Sequence, residues 1–283
     1  MNNFAIIGVA GFVAPKHLQA IKNTGGNLVA AYDISDSVGV LDSYFPDCNF
    51  FTSIEEFTLF IQHNHIDYLV VCSPNFLHSE HCSFGLKNGM NVICEKPLCL
   101  DTSTLKQLTA LEQETGNFIY TILQLRLHDE IIQIKNNLQK NIFYKGDLIY
   151  FTPRGSWYYK SWKGIEEKSG GIATNIGVHF FDMLCWFFGE QKEIIVQQKN
   201  NTEAKGNIIF ENANIRWHLS IDRNLPPTRK ITLNGKEHFF TEGFHHLHTR
   251  CYEEILKSNG FDTSTVASSI RIIETIQKEK LIF

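Results

Sequence analysis

Short apolar runs alternate with segments of helical periodicity along the first part of the chain. A continuous apolar run at residues 4–7 is typical of a strand buried on both faces of a parallel sheet. Further strands are predicted at 28–32, 49–51, 67–72, 91–94 and 117–123. Helices are predicted after the first strand, at 54–61 and at 101–114, and another helix is predicted to follow the segment at 73–78 and to end at about residue 88. This alternation predicts a parallel sheet with right-handed crossover connections.

The pattern changes after residue 125. One helical stretch at 129–138 precedes strand-like segments at 145–152, 193–198, 207–211, 214–221 and 229–233, and Asn234–Gly235 is a two-residue hairpin signal. Consecutive strands joined by turns predict a mostly antiparallel open sheet. We therefore predict an α/β Rossmann domain with a doubly wound parallel sheet at 1–122 and an α+β substrate-binding and oligomerisation domain at 123–283.

Composition narrows the class of protein. The 283 residues are 43% hydrophobic and 20% charged, and the net charge of −4 favours neither nucleic acid nor a membrane surface as a partner. No apolar run approaches the roughly 20 residues of a membrane span. The seven cysteines form no CxxC pair, and no basic region precedes the first strand, so we expect a cytoplasmic protein with free thiols and no signal peptide.

A turn of small residues follows the first strand. Gly8, Ala10 and Gly11 lie in a GxxGxxA pattern, one residue longer than GxGxxG, between an apolar strand and a helix. Small residues let the backbone approach a pyrophosphate, which binds at the helix N-terminus. The motif is weak by itself, but it makes this turn the candidate dinucleotide site.

Asp33 ends the second predicted strand. An acidic residue about 20 residues beyond the glycine turn is the expected partner of the adenosine ribose hydroxyls, and its charge would repel a 2′-phosphate. This predicts NAD rather than NADP as the cofactor. The alternative is that Asp33 caps the next helix, a role that Asp36 could also fill.

Glu95, Lys96 and Pro97 end the strand at 91–94. Ligands of open α/β sheets bind outside the carboxyl ends of the strands, so Lys96 emerges where a substrate would react. Pro97 ends the strand because its φ is fixed and it has no N–H. The alternative interpretation is a surface lysine before a turn.

Asn175, His179 and Asp182 recur at helical spacing, so one helix face carries an amide, an imidazole and a carboxylate. The alternative is a capping asparagine and a core histidine. We predict no metal site, because no third ligand stands at a recognisable zinc spacing. The cluster of His245, His246 and His248 lacks an HExxH pattern and is interpreted as an exposed helix start.

An aromatic segment with several cations precedes that helix. Such a segment can bind phosphate and stack on a uracil or nicotinamide ring, whereas the alternative is an amphipathic edge with snorkelling cations. Its members are Arg154, Trp157, Tyr158, Tyr159, Lys160, Trp162 and Lys163.

These motifs together resemble the Gfo/Idh/MocA family of NAD(P)-dependent oxidoreductases. The resemblance covers nearly the whole chain and is carried by the glycine turn, Ser73-Pro74-Asn75 with His78, Glu95-Lys96-Pro97, Trp162-Lys163, and Gly170-Gly171 through Asn175, His179 and Asp182. In the family, the lysine and the histidine flank the nicotinamide and the sugar carbon that is oxidised. The family's Lys–Pro bond is often cis, so we expect this for Lys96–Pro97.

The resemblance implies a set of site residues. It implies cofactor contacts for Gly8, Ala10, Gly11, Phe12, Val13, Asp33, Ser73, Pro74, Asn75, His78, Glu95, Lys96, Gln124 and Trp162. It implies substrate contacts for Lys96, Arg154, Trp157, Tyr159, Lys163, Asn175 and His179, with Lys96, His179 and Asn175 as the catalytic residues. Lys96 and His179 would accept the hydroxyl proton and stabilise the oxyanion, in either order, and Asn175 would hold a sugar hydroxyl.

Asn175 departs from the broad family pattern, in which many members have aspartate. With that asparagine and the GxxGxxA turn, the chain is similar to one subgroup, the UDP-N-acetyl-glucosaminuronate 3-dehydrogenases of the WlbA/WbpB type. The subgroup implies NAD-dependent oxidation of the sugar C3 hydroxyl of a UDP-sugar uronate in bacterial lipopolysaccharide and O-antigen synthesis, by a homodimer or homotetramer. The alternatives are another sugar or inositol dehydrogenase, an NAD-dependent glycosidase, and a non-enzymatic NAD(H) sensor.

Overall fold

The computed structural model describes residues 1–240 and 242–279. The chain folds into two compact units. The first comprises Met1–Cys99, Ser103–Gln124 and His246–Val266. The second comprises Leu100–Thr102, Leu125–His245 and the described chain from Ala267 onward.

The first unit contains a six-stranded parallel sheet, as predicted. The strands are β1 (Asn3–Ile7), β2 (Asn27–Tyr32), β3 (Asn49–Phe51), β4 (Tyr68–Val71), β5 (Asn91–Cys94) and β6 (Ile119–Thr121), in the order β3-β2-β1-β4-β5-β6. The helices between them are α1 (Ala14–Asn23), α2 (Val40–Tyr44), α3 (Ile54–His63), α4 (His78–Lys87) and α5 (Thr102–Thr115). The strand order reverses at β1, which lies between β2 and β4, and the carboxyl ends at such a switch point form a ligand crevice.

The second unit contains a six-stranded sheet of order β12-β11-β7-β10-β9-β8. Its strands are β7 (Tyr144–Phe151), β8 (Gln191–Lys199), β9 (Glu203–Phe210), β10 (Ala213–Ser220), β11 (Thr228–Leu233) and β12 (Lys236–Phe239). Among the described strand pairs of this sheet, only β7–β10 is parallel. The mostly antiparallel sheet is therefore confirmed, and so is the hairpin at Asn234–Gly235, whose φ angles of 47° and 85° are left-handed.

Helix α9 (Val178–Phe188) packs against one face of this second sheet. The same unit also contains α6 (Asp129–Asn137), α7 (Trp157–Lys160) and α8 (Glu166–Ser169). Phe181 of α9 packs edge-on against Trp217, and Phe188 packs against Phe210. Within the described residues, the stretch Glu166–Phe188 is apolar and long enough to span a membrane. However, 78% of its most apolar 18-residue segment is buried, as in the core helix of a globular domain.

The chain returns to the first unit near its C-terminus. Helix α10 (Leu247–Leu256) and the start of α11 (Thr263–Lys278) belong to that unit. The Thr121 N–H donates to the Phe261 carbonyl at 2.8 Å, and the Thr263 hydroxyl donates to Glu112 at 2.6 Å. The predicted boundary between residues 122 and 123 does not include this return, because it assigns every later residue to the second domain.

Candidate active site

The glycine turn lies directly against the end of β4. Gly8 has a φ of +88°, and a Cβ on it would lie 2.6 Å from the Cys72 carbonyl carbon. The Gly8 N–H donates to the Tyr32 carbonyl at 2.8 Å, and the Gly11 N–H donates to the Gly8 carbonyl at 3.0 Å. Only glycine satisfies both the left-handed angle and the close backbone approach at position 8.

Asp33 lies at this turn rather than at a helix start. Its Oδ2 accepts the Ala10 N–H and its Oδ1 accepts the Ser35 N–H, both at 2.9 Å. The next helix, α2, has Gly39 as its N-cap residue, so the alternative of a helix-capping role for Asp33 or Asp36 is wrong. Two backbone donors thus fix a carboxylate beside the turn, and its contact with ribose hydroxyls stays a prediction.

The segment after β4 packs onto the Lys96–Pro97 turn. Ser73, Asn75 and His78 are buried, and the Lys96–Pro97 peptide bond is cis, as expected. The His78 ring lies between two carbonyl oxygens, with Nδ1 2.6 Å from Pro97 O and Nε2 2.8 Å from Ser73 O. Burial lowers the pKa of His78 and outweighs the raising effect of these carbonyl contacts.

The side chain of Glu95 points into a buried cluster of the first unit. His17 of α1 and His248 of α10 both approach its Oε1 with Nε2, at 3.1 and 2.9 Å. His17 Nδ1 lies 2.8 Å from the Tyr252 hydroxyl, and Glu95 Oε2 accepts the Lys96 N–H at 3.3 Å. The interpretation of His248 as part of an exposed helix start is wrong, because its first-unit contacts leave it 6% exposed.

Burial and hydrogen bonds shift the pKa values of Glu95 and His17 in this cluster. Burial alone would raise the pKa of Glu95, but the hydrogen bonds from His17 and His248 outweigh it and hold that pKa well below its usual range. Burial lowers the pKa of His17, and the hydrogen bond to Glu95 offsets this only in part. The cluster therefore contains an ionised carboxylate and a neutral His17 near pH 7.

Acidification is expected to destabilise the protein through His17. The unfolded chain protonates this residue near the ordinary pKa of 6.5, whereas the folded protein keeps it neutral. Its contribution to stability is fully present above that pH and is lost as the pH falls towards the lowered folded pKa. Glu95 adds a loss of the same sign below its ordinary pKa of 4.5.

The test compares thermal melting of wild type and His17→Gln at about pH 7.5 and about pH 5.5. The melting temperature of wild type should fall further between the two pH values than that of the variant, because glutamine does not titrate. His78, whose pKa is also lowered, supplies part of the remaining pH dependence in both proteins. Equal pH dependence in both proteins would contradict the prediction.

The second unit holds the predicted Asn175, His179 and Asp182 on one helical stretch. The left-handed Gly170 and Gly171 precede it, with φ angles of 77° and 74°. Asn175 lies in a π-helical turn, Ala173–Gly177, directly before α9, whereas the other two lie in α9 itself. Single π-turns occur frequently at functional sites. Gly177 is the N-cap residue of α9, so Asn175 does not cap that helix.

The side chains of this stretch have different partners. The Asn175 amide donates to the Tyr158 hydroxyl at 2.7 Å. Arg126 donates two hydrogen bonds of 2.9 Å to Asp182, which fixes the helix that carries His179. Burial raises the pKa of Tyr158 despite the Asn175 contact, and it raises the pKa of Asp182 despite the arginine.

The aromatic segment divides into exposed and buried parts. Trp157 and Tyr159 are 54% and 44% exposed, whereas Tyr158 is buried. Tyr158 and Lys163 line a cavity of the second unit together with Gly170, Gly171 and Lys199. Lys163 Nζ lies 4.2 Å from the Trp162 ring centre, and Phe12 is exposed. Several roles stay predictions. These are the substrate roles of Arg154, Trp157, Tyr159 and Lys163 and the cofactor roles of Phe12, Val13, Pro74, Gln124 and Trp162.

Some contributors to these sites were not predicted as site residues, namely Tyr158, His17, His248 and Tyr252. His17 is a polar residue on the apolar face of α1, beside Leu18, and this position was the available signal. The four-residue spacing of His248 and Tyr252 was the signal on α10.

Comparisons with known proteins agree with this arrangement. The sequence model of a GFO/IDH/MocA oxidoreductase family with an NAD-binding Rossmann fold matches residues 2–122. The model of the C-terminal alpha/beta domain of that oxidoreductase family matches residues 133–220. The chain spans little more than half the length of the curated relatives it matches. Glucose-6-phosphate 3-dehydrogenase from Bacillus subtilis, for example, is 27% identical over 219 residues, which are 72% of this chain and 59% of that enzyme.

Two solved structures of a Thermus thermophilus dehydrogenase, WlbA (WbpB), are similar over the whole chain. The structure with NAD and alpha-ketoglutarate is 41% identical, with a TM-score of 0.97, and the match covers 100% of this chain and 96% of that one. The structure with NAD and UDP-GlcNAcA is 40% identical, with a TM-score of 0.95 and the same coverage.

Proposed function

This chain belongs to the Gfo/Idh/MocA family of oxidoreductases, and on that premise we propose that it oxidises the C3 hydroxyl of UDP-N-acetyl-glucosaminuronic acid to a ketone, with NAD as the oxidant. The observation that carries the proposal is the whole-chain similarity, at 40% identity, to the dehydrogenase solved with NAD and UDP-GlcNAcA. The residues that the reaction needs are present in this sequence as Lys96, Asn175 and His179.

The first unit fits NAD. Gly8 brings the backbone turn against the end of β4, and Asp33 is held beside that turn by two N–H donors. The turn precedes α1, whose N-terminus suits a pyrophosphate. A fixed carboxylate suits the ribose hydroxyls of NAD and disfavours the 2′-phosphate of NADP. When bound, NAD accepts the hydride from the sugar carbon.

Lys96 and His179 are the proposed acid–base pair. One takes the C3 hydroxyl proton as the carbon is oxidised, and the other donates to the developing oxyanion. An unperturbed imidazole titrates near neutrality, which suits the residue type of His179 to proton transfer, and a lysine ammonium suits Lys96 to donation. Asn175, held by the Tyr158 hydroxyl, orients a neighbouring sugar hydroxyl.

The test begins with mass spectrometry of the purified protein for retained nucleotide. UDP-N-acetyl-glucosaminuronate is then added, with and without alpha-ketoglutarate, because the Thermus enzyme was also solved with that 2-oxo acid. A product two mass units lighter than the substrate supports the proposal. Release of UDP or a free sugar without net oxidation indicates the glycosidase, and oxidation of inositol or free sugars alone indicates the broader family activity. No turnover of any of these, with NAD bound, would favour a sensor.

Cofactor choice is expected to depend on Asp33. The Asp33→Ala variant should bind NAD about tenfold or more weakly, since it loses ribose hydrogen bonds to a charged acceptor worth about 1.5–3 kcal/mol. Its discrimination against NADP should shrink. Isothermal titration with both cofactors measures this, and Asp36→Ala is the matched control. Tighter binding of NADP than NAD by the wild type would contradict the assignment.

We expect the protein to self-associate as a homodimer or homotetramer through the second sheet. The face of this sheet that its buried residues turn away from carries Ile149, Phe151, Ile195 and Ile209, which are half-buried or exposed. Accessible apolar side chains on a sheet face support an interface. Light scattering at micromolar concentration tests this, and a monomer would contradict it.

A cytoplasmic location and a role in lipopolysaccharide and O-antigen precursor synthesis are part of the same proposal. All seven cysteines are free thiols in the structure, which is compatible with a reducing compartment. Nucleotide-linked uronates and NAD are also intracellular metabolites. Loss of a 3-keto UDP-sugar from extracts of a deletion strain is the measurement that checks the pathway role.

A further inference from the structure

We propose that His17, His248 and Tyr252 are positioning residues, which hold the Glu95–Lys96 turn through two imidazole N–H donors on one carboxylate oxygen. The inference rests on the proposed function, because Lys96 is the reacting group that the cluster would position. His17, His248 and Tyr252 are not among the cofactor, substrate or catalytic residues that the family resemblance implies.

The cluster joins three separate elements of the first unit. His17 comes from α1, Glu95 follows β5, and His248 and Tyr252 come from α10. All four side chains are buried, His17 and Tyr252 completely. The two imidazole rings meet edge to face, with centres 5.0 Å apart. Only His248 and Tyr252 are paired by local spacing, so the fold has brought α1, the end of β5 and α10 together around one carboxylate.

Hydrogen-bond chemistry fixes the proton positions. An ionised carboxylate only accepts, so both Nε2 atoms next to Glu95 must carry hydrogen. A neutral His17 then has Nδ1 as an acceptor, and the Tyr252 hydroxyl is its donor at 2.8 Å. The chain of donors runs from Tyr252 through His17 to Glu95, and it is satisfied with the His17 imidazole uncharged. Burial of His17, which lowers its pKa, favours the same state.

The cluster acts on Lys96 through the backbone. Glu95 Oε1 is held by two imidazoles while its Oε2 accepts the Lys96 N–H at 3.3 Å. A buried carboxylate that loses a donor is costly, so it would turn towards another partner. That movement displaces the adjoining Lys96 peptide. Because α1 begins at the glycine turn, the same cluster also ties the cofactor-turn helix to the reacting lysine.

A metal ion is the competing interpretation of these atoms. His17 Nε2, His248 Nε2 and Glu95 Oε1 lie within 4.8 Å of one another, and two histidines with a glutamate form a known zinc-ligand set. In the hydrogen-bonded arrangement the two 2.9–3.1 Å contacts need no ion. The two interpretations differ in what glutamine can replace, since an amide N–H is a donor but a poor zinc ligand.

The experiment therefore compares His248→Gln with His248→Leu. Glutamine can present an N–H near the position of Nε2, and leucine has a similar volume without a donor. We expect His248→Leu to lower kcat by about tenfold or more, because small misplacements of reacting groups cost up to about 10²-fold. His248→Gln should stay within about threefold of wild type, and the KM for NAD should change less than twofold in both variants.

Several results would overturn the inference. Equal kcat values for the two variants, each folded by circular dichroism at the assay temperature, would remove the donor role and leave only a structural one. Stoichiometric zinc in the wild-type protein by elemental analysis, lost in both variants, would replace the hydrogen-bonded cluster by a metal site. Wild-type protein without turnover is a failure of the proposed function instead.

The inference can also be tested without turnover and without the leucine variant. Nitrogen-15 spectra of histidine-labelled protein at pH 7, assigned with His17→Gln and His248→Gln, report the tautomer of each ring. We expect a neutral Nε2–H form for His17, hydrogen on Nε2 of His248, and a disturbed His17 signal in Tyr252→Phe. A cationic His17, or an Nδ1–H tautomer at either position, would overturn the inference.

Discussion

Replacing Lys96 with methionine is expected to lower kcat by about 10²- to 10⁴-fold, the usual contribution of general acid–base groups. Methionine keeps an unbranched side chain of similar reach but can neither donate nor accept a proton. The glycine turn and Asp33, which are the proposed pyrophosphate and ribose contacts, are unchanged in this variant. Loss of the implied Lys96 contact should therefore change NAD affinity only modestly. Pre-steady-state oxidation of UDP-N-acetyl-glucosaminuronate, with NAD affinity from titration, measures both effects.

The matched control is Lys87→Met, which removes an exposed lysine from the last turn of α4 in the same unit. Its kcat should equal that of wild type. His179→Asn should lower kcat by a factor similar to that of Lys96→Met. If both groups act on the same hydroxyl, the double variant should be far less impaired than the product of the single effects, as expected for residues that work as a unit.

Near-normal turnover by folded, NAD-bound Lys96→Met would remove Lys96 from the mechanism, and the same result for His179→Asn would remove His179. Strictly multiplicative losses would leave both residues in place but break the claim that they act on one oxygen. These outcomes separate the chemistry from binding, because the affinity for NAD is measured independently.

The parallel sheet could be predicted because its strands are buried on both faces. Runs such as Phe4–Ile7 have no polar alternation, and the residues at their carboxyl ends, Gly8 and Lys96, are then placed by the architecture. The return of α10 to the first unit could not be predicted. The amphipathic pattern of α10 predicts that one face is buried, but it does not indicate which domain covers that face.

The Glu95 cluster shows the same limit at the level of a site. His17 and His248 are 78 and 153 residues from Glu95 in the sequence. Each histidine in isolation is compatible with an exposed or a buried position, and only the tertiary fold decides. The positions of Lys96 and Asp33 could be predicted because each follows the end of a strand in a local motif.

Arg126→Met is expected to lower the free energy of unfolding by about 3–5 kcal/mol, the usual cost of leaving one partner of a buried ion pair alone. The guanidinium makes two 2.9 Å hydrogen bonds to Asp182, whose side chain is 2% exposed. Without them the carboxylate is buried without its counter-ion. Urea unfolding of wild type and variant at pH 7 measures the difference.

Two variants control this prediction. Arg216→Met breaks a pair with Asp147 on the exposed side of β10, and it should change stability little, because surface pairs are screened by solvent. Asp182→Asn in the Arg126→Met background removes the unpaired charge and should recover part of the loss.

The pH dependence of Arg126→Met has a defined sign. Burial already raises the pKa of Asp182 in the wild type, and loss of Arg126 should raise it further. A raised carboxyl pKa means that stability is retained below that pKa and lost as the pH rises through it. The stability difference between wild type and Arg126→Met should therefore shrink as the pH falls from about 7 to about 5. A loss as small as that of Arg216→Met, or one independent of pH, would mean that this ion pair does not anchor the helix carrying His179.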